Sequence, residues 1–126
     1  MNVLRALRWP IAALIVTGML HLIAEAIRPD LRNDFSPAMV GVLLLAYGLW
    51  IGWSVTTAGG SIGVAVAAGA IVGILPLALD IVGFGILLGR GVDTGLTAGV
   101  FGFLVVVFGT LAGAAFGASR PTPAAA

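Results

Sequence analysis

The chain has 126 residues, of which 60% are hydrophobic and only 9% charged, and its formal net charge is +1. Soluble domains carry roughly 25% charged residues, so this composition cannot coat a water-facing globule; it excludes a disordered chain and argues against a soluble enzyme. The charge supplies no basic field for nucleic acid, and with no cysteine there is neither a disulfide framework nor a thiolate metal site.

A bilayer core about 30 Å thick needs roughly 20 mostly apolar residues per helix, and four such runs are present. The first covers about residues 9–27, with Arg5 and Arg8 before it and Arg28, Asp30, Arg32 and Asp34 after it. Pro10 fits its first turn, where a missing N–H is tolerated. A charged start, an apolar run and Ala24-Glu25-Ala26 also sketch a signal peptide, but a glutamate inside the cleavage site argues against that. The second run covers about 37–55, opened by Ser36 and Pro37 as N-cap and first helical residue. It closes at the turn-forming stretch 56–61. The third covers about 62–88 and ends at Arg90-Gly91-Val92-Asp93; Pro76 inside it predicts a kink one turn before Asp80. The fourth covers about 94–118, with Asp93 as its N-cap candidate and Arg120 after it.

Connections this short force antiparallel sequential neighbours. The predicted fold is therefore all-α, a single-domain up-down-up-down bundle of four transmembrane helices. A membrane β-barrel would alternate apolar and polar residues, and runs such as 40–47 and 101–108 do not. The basic residues tie across the two sides, Arg5, Arg8 and Arg120 against Arg28, Arg32 and Arg90. The free amino group tips the orientation toward cytoplasmic termini in a cytoplasmic (inner) membrane, with Trp9, Trp50 and Trp53 as an interfacial belt on that side. All six basic residues are arginine, a usage that points to a GC-rich bacterial genome.

The most specific pattern lies in the fourth span. At about 100° per residue, Gly95, Gly99, Gly102, Gly109, Gly113 and Gly117 fall within an arc of about 80°, interrupted only at Val106. Lipid tails are as apolar as leucine, so membrane helices associate through close backbone approach, which glycine permits. This face predicts a tightly packed neighbour, either another span of the same chain or a second copy in a homo-oligomer. Shorter versions occur at Gly48 and Gly52 and at Ala65, Gly69 and Gly73. So many small residues predict close packing throughout, with little space for a large ligand.

Three carboxyl or imidazole side chains fall within the spans: His21, Glu25 and Asp80. Such groups are disfavoured in lipid by about 2.5–3.5 kcal/mol for an aspartate at mid-helix, so they form the candidate ion or proton site. His21 lies about 10 Å before Arg28 and Asp80 about 15 Å before Arg90, at about 1.5 Å per residue, on helices that end on the same side. Glu25 is within a turn of the helix end, within reach of the headgroups. Asp80 shares its face with Ala65, Gly69, Gly73, Pro76 and Gly83, which predicts a meeting of Asp80 with His21 or Glu25.

Two functional readings follow. One is a structural, assembly or accessory subunit, partnered by the bilayer and by its own copies or a larger membrane complex. The other is a proton- or cation-coupled small transporter or channel using Asp80 with His21 and Glu25. In size, span number and a glutamate on the first span, the chain resembles the small multidrug resistance exporters in topology. Their essential glutamate lies mid-helix, and Asp80 has no place in that pattern, so no binding residues are carried over. No catalytic set is expected: the serines sit at span boundaries, and Gly59-Gly60-Ser61 lacks the lysine of a phosphate loop. A single histidine cannot supply bis-histidine haem ligation within one chain, and no cofactor or metal is expected.

Overall fold

The computed structural model describes residues 2–30 and 37–120. Among these there is no strand; the elements are α1 (Val3–Ile27), α2 (Pro37–Thr57), α3 (Ile62–Ala78), a π-helical continuation of α3 (Leu79–Leu87), and α4 (Val92–Ser119). The four helical rods, counting α3 with its continuation as one, are each long and apolar enough to cross a membrane. Arg32, Asp34, the Ser36 cap and the tail after Arg120 lie outside the described residues.

The helix starts differ from the sequence expectation in two places. Helix α1 begins six residues earlier than its apolar run because the Asn2 side chain accepts a hydrogen bond from the Arg5 N–H at 3.3 Å, satisfying one of the orphan donors of the first turn. Helix α4 is entered through Gly91 at φ 97°, and Asp93 sits inside the first turn instead of capping it. There its charge still opposes the positive end of the helix dipole. Ser61, by contrast, caps α3 by accepting from the Val64 N–H at 3.1 Å.

Helix α4 is the hub. Its largest interface is with α2, followed by α3 and the π segment, whereas α1 leans mainly on α2 and barely touches α3. The small residues explain this order. A Cβ added at Gly109 would meet the Leu45 carbonyl oxygen at 2.6 Å, one at Gly48 would lie 2.9 Å from the Gly109 Cα, and one at Gly113 would run into the Leu49 backbone. Lower on α4, a Cβ at Gly99 would lie 3.1 Å from the Leu77 Cα, and one at Gly95 would collide with the Asp80 carbonyl. The glycine face is therefore shared: its first half lies against α3 and the π segment, its second half against α2. Gly102, Val106, Gly109 and Gly113 are buried, and Gly117, beside Thr56 and Trp53, is half-buried.

The side chains are distributed inside out relative to a soluble bundle. Thr110 and Ala114 are fully buried, while Phe108, Phe116, Ile71 and Leu87 are about two-thirds exposed or more. Trp9, Trp50 and Trp53 are exposed too, and arginine guanidinium groups lie over two of them, Arg8 over Trp9 and Arg120 over Trp53.

Enlarging the glycine face is expected to overpack it. Gly113→Val should lower stability by at least about 2 kcal/mol, since forced methyl groups in a packed interior cost about 1–3 kcal/mol each time. Gly63→Ala, whose new Cβ would have only Ser61 Oγ at 3.8 Å, should be neutral or stabilising by up to about 1 kcal/mol. Thermal or denaturant unfolding in detergent compares the two.

Candidate functional site

The π segment prepares the site. Pro76 has no N–H, so α3 loses one rung there. At the next turn the Leu79 N–H is shared between the Leu75 and Pro76 carbonyls. From that point the helix widens. The Leu88 N–H bonds back to the Gly83 carbonyl, and the Arg90 and Gly91 N–H groups reach the Phe84 and Gly85 carbonyls. A long π stretch is rare, and such stretches concentrate at functional sites. Pro76 itself stays within α-helix α3, and the change of helix type comes three residues later, at Leu79. Gly89 and Gly91, both at positive φ, then fold the chain back toward α4 and turn Arg90 inward.

Arg90 meets Glu25. Its Nη2 lies 2.7 Å from Glu25 Oε2, and His21 Nε2 lies 3.5 Å from Glu25 Oε1. Glu25 is only 3% exposed, so the carboxylate placed near the headgroups by its position in the sequence is turned into the bundle. The aromatic ring of Phe84 sits under both partners, 5.3 Å from the Arg90 guanidinium carbon and 5.1 Å from the His21 ring. The guanidinium can spread its charge over that ring face.

Asp80 takes a different place from the one expected. Among the described residues no ion pair or hydrogen bond reaches its carboxylate, so the expected contact with His21 or Glu25 gives way to the Glu25–Arg90 pair. Asp80 instead lines, together with His21, Glu25, Arg90, Asp93 and Thr97, a half-open cavity of about 750 Å³. A second cavity of about 620 Å³ adjoins it and is almost wholly apolar, walled by α1, α2 and the π segment; His21, Val40, Leu44, Asp80 and Phe84 border both. These volumes correct the expectation of close packing throughout. The small residues sit between α2, α3 and α4, whereas α1 meets its neighbours through large side chains such as Leu14 and Leu22 and stands away from the rest.

A polar tie spans the apolar cavity. The Thr17 hydroxyl donates to the Ala13 carbonyl at 2.7 Å, which commits its only proton, so the Tyr47 hydroxyl donates to Thr17 Oγ1 at 2.5 Å. Tyr47 and Arg90 were not singled out from the sequence. Tyr47 is the chain's only tyrosine and sits inside an apolar run, a signal that could have been read. Arg90 looked like an ordinary boundary residue. The described residues contain no group of three or more His, Asp or Glu side chains able to hold a metal ion. Comparison with known protein families, curated proteins and solved structures finds no match to this chain.

Removing one partner of a buried ion pair leaves the other charge without compensation, a loss of about 3–5 kcal/mol. With Arg90 about one-quarter exposed, Glu25→Gln should destabilise by about 3 kcal/mol, at the lower end of that range. The double variant E25Q/R90M should recover most of the loss, and a double-mutant cycle of unfolding in detergent reads the coupling.

Proposed function

We propose that this chain is a four-span, up-down-up-down integral membrane protein that binds and moves protons or small cations through the cavity bordered by Asp80, His21 and Glu25. The order of contacts supports the topology. Positions 41 to 56 on α2 meet 101 to 117 on α4 in ascending order, while positions 69 to 80 on α3 and its π-helical continuation meet 110 to 95 in descending order. Exposed aromatic and aliphatic side chains around buried glycine, alanine and threonine support lipid as the solvent. The cytoplasmic membrane of a bacterium, with both termini in the cytoplasm, is the placement that goes with this reading.

The observation that carries the transport reading is the convergence of His21, Glu25 and Asp80 on one half-open cavity. Glu25, Asp80 and Asp93 bring three carboxylates to this cavity against the single guanidinium of Arg90, which pairs with Glu25. The excess of carboxylates gives the cavity the sign that attracts a cation or exchanges a proton, and intramembrane ionisable groups of this kind mark ion and proton paths. The assembly or accessory reading has its own observation in favour: the glycine face of α4 is occupied by α2 and α3 of the same chain, which makes a self-contained unit able to present its lipid-facing sides to a larger complex.

Proton flux into liposomes separates the two. With a pH-sensitive dye inside and a potassium diffusion potential across the bilayer, the wild-type protein should acidify or alkalinise the lumen faster than empty liposomes. Asp80→Asn should lower that rate at least tenfold, with the helical content unchanged by circular dichroism. A wild-type rate equal to that of empty liposomes would exclude proton transport, and an equally null flux of sodium or potassium would leave the accessory reading.

A further inference from the structure

Helix α1 is held unevenly along its length. Its buried apolar residues, Leu7, Pro10 and Leu14, all precede Thr17, and Val3 and Ile11 pack against the same core. Among the described residues of α1 beyond Thr17, only Glu25 is buried. Met19, Leu20, Ile23 and Ile27 are exposed, and the inner side of this half, with His21 and Leu22, borders the two cavities in place of a packed helix. We infer that residues 18–27 form a gate over the cavities, hinged at Thr17 and Gly18 and latched shut by the Glu25–Arg90 pair. The movement does not depend on what the cavities carry and so goes beyond the transport reading. Opening would draw His21 and Glu25 away together and leave Asp80 and Asp93 behind on the π segment and α4.

The hinge is built from local chemistry. Thr17 sends its hydroxyl to the Ala13 carbonyl, four residues back, at 2.7 Å, a bond that competes with the helix ladder and bends helices. Gly18 follows it, and glycine weakens a helix interior relative to alanine. The Tyr47 hydroxyl ties Thr17 to α2, so the pivot itself stays in place. The latch stands at the other end of the lever, about 12 Å further along at 1.5 Å per residue. There Arg90 Nη2 holds Glu25 Oε2 at 2.7 Å, while Leu22 lies against Gly83. His21, at 3.5 Å from Glu25 Oε1, is on the same helix and moves with it, so Arg90 is the partner that ties this half to the rest of the molecule. A carboxylate is not kept buried without a partner. Once Arg90 lets go, Glu25 is driven toward water, and an outward swing of residues 18–27 gives it that.

Distances between pairs of spin labels on the protein in lipid nanodiscs test this, and the chain has no cysteine of its own to take up label. A pair at Ile27 and Leu96 reports the distal half of α1, and a pair at Leu4 and Phe116 reports the proximal half; all four positions are exposed. Arg90→Met should lengthen the Ile27–Leu96 distance by about 4–5 Å, the end displacement of a kink of about 20° acting over the roughly 13 Å of helix beyond Gly18. The double variant E25Q/R90M, in which no charge is left unpaired, should broaden the same distribution toward the longer distance even as its stability returns toward wild type. The Leu4–Phe116 distance should hold in both. In the unsubstituted protein, backbone amides 19–27 should exchange hydrogen at least tenfold faster than amides 7–14. A double variant that keeps the wild-type Ile27–Leu96 distribution overturns the inference, because packing and not the ion pair then holds this half. Equal displacement of both label pairs overturns it too, since α1 then moves as one rod without a hinge, and so does uniform exchange along α1. The proton-flux measurement judges the transport reading separately from all of these.

Discussion

The close approach of α4 to α2 and α3 is the constraint from which the rest of the structure follows. With lipid as the solvent, as proposed above, helices gain nothing by hiding leucine, so association would depend on backbones coming near enough for dense van der Waals contact. Gly48 opposite Gly109, and Gly113 against the Leu49 backbone, leave no room even for a methyl group. With α4 committed to α2 and α3, its remaining face, which carries Phe108 and Phe116, is left exposed, and α1 packs mainly on α2. Helix α1, which carries Gly18 as the glycine of its apolar run and otherwise meets its neighbours through bulky side chains, docks beside the three-helix unit without entering it.

That secondary position explains why α1 holds most of the interhelical polar chemistry. Two ties cross to the rest of the molecule: the Tyr47 hydroxyl on Thr17 near the middle and the Glu25–Arg90 pair near the end. Hydrogen bonds and ion pairs have direction and a fixed partner, which dispersion between smooth faces lacks, so they set the register of a helix that packing alone would leave free to slide. A buried ion pair is weak evidence for net stability, because desolvating both ions offsets most of their attraction. Its contribution here is better placed in position: Glu25 can be buried at that depth only while Arg90 is present, and Arg90 is delivered only if Gly89 and Gly91 turn the chain back.

The four helical runs were legible in the sequence because length and hydropathy are properties of a segment and need no partner. The phase of the α4 glycines was legible for the same reason, since 100° per residue holds along an uninterrupted α-helix. The same arithmetic failed beyond Leu79, where the chain leaves α-helical geometry; nothing local to residues 79–87 other than two glycines and an upstream proline hints at a π helix. Depth along a helix put Glu25 near the headgroups, but direction around the helix, set by the arrival of Arg90 from 65 residues away, put it inside. Pairings between distant residues depend on how α1 is placed, and α1 is the helix whose placement the small-residue pattern specifies least.

The π segment links these two halves of the molecule. Each π turn accommodates an extra residue and leaves its hydrogen bonds reaching one residue further back than in an α-helix. Asp80, Gly83 and Phe84 therefore stay on the inner side of a wide, loosely wound turn. Gly83 leaves space for Leu22 of α1, and Phe84 provides the surface on which both His21 and Arg90 rest. Had the segment continued as a regular α-helix, each later residue would be rotated progressively away from these positions, and Arg90 would no longer arrive opposite Glu25. The irregular winding is thus what allows a helix tightly bound to α4 on one side to present a carboxylate, an aromatic ring and the approach of an arginine to the loosely held α1 on the other.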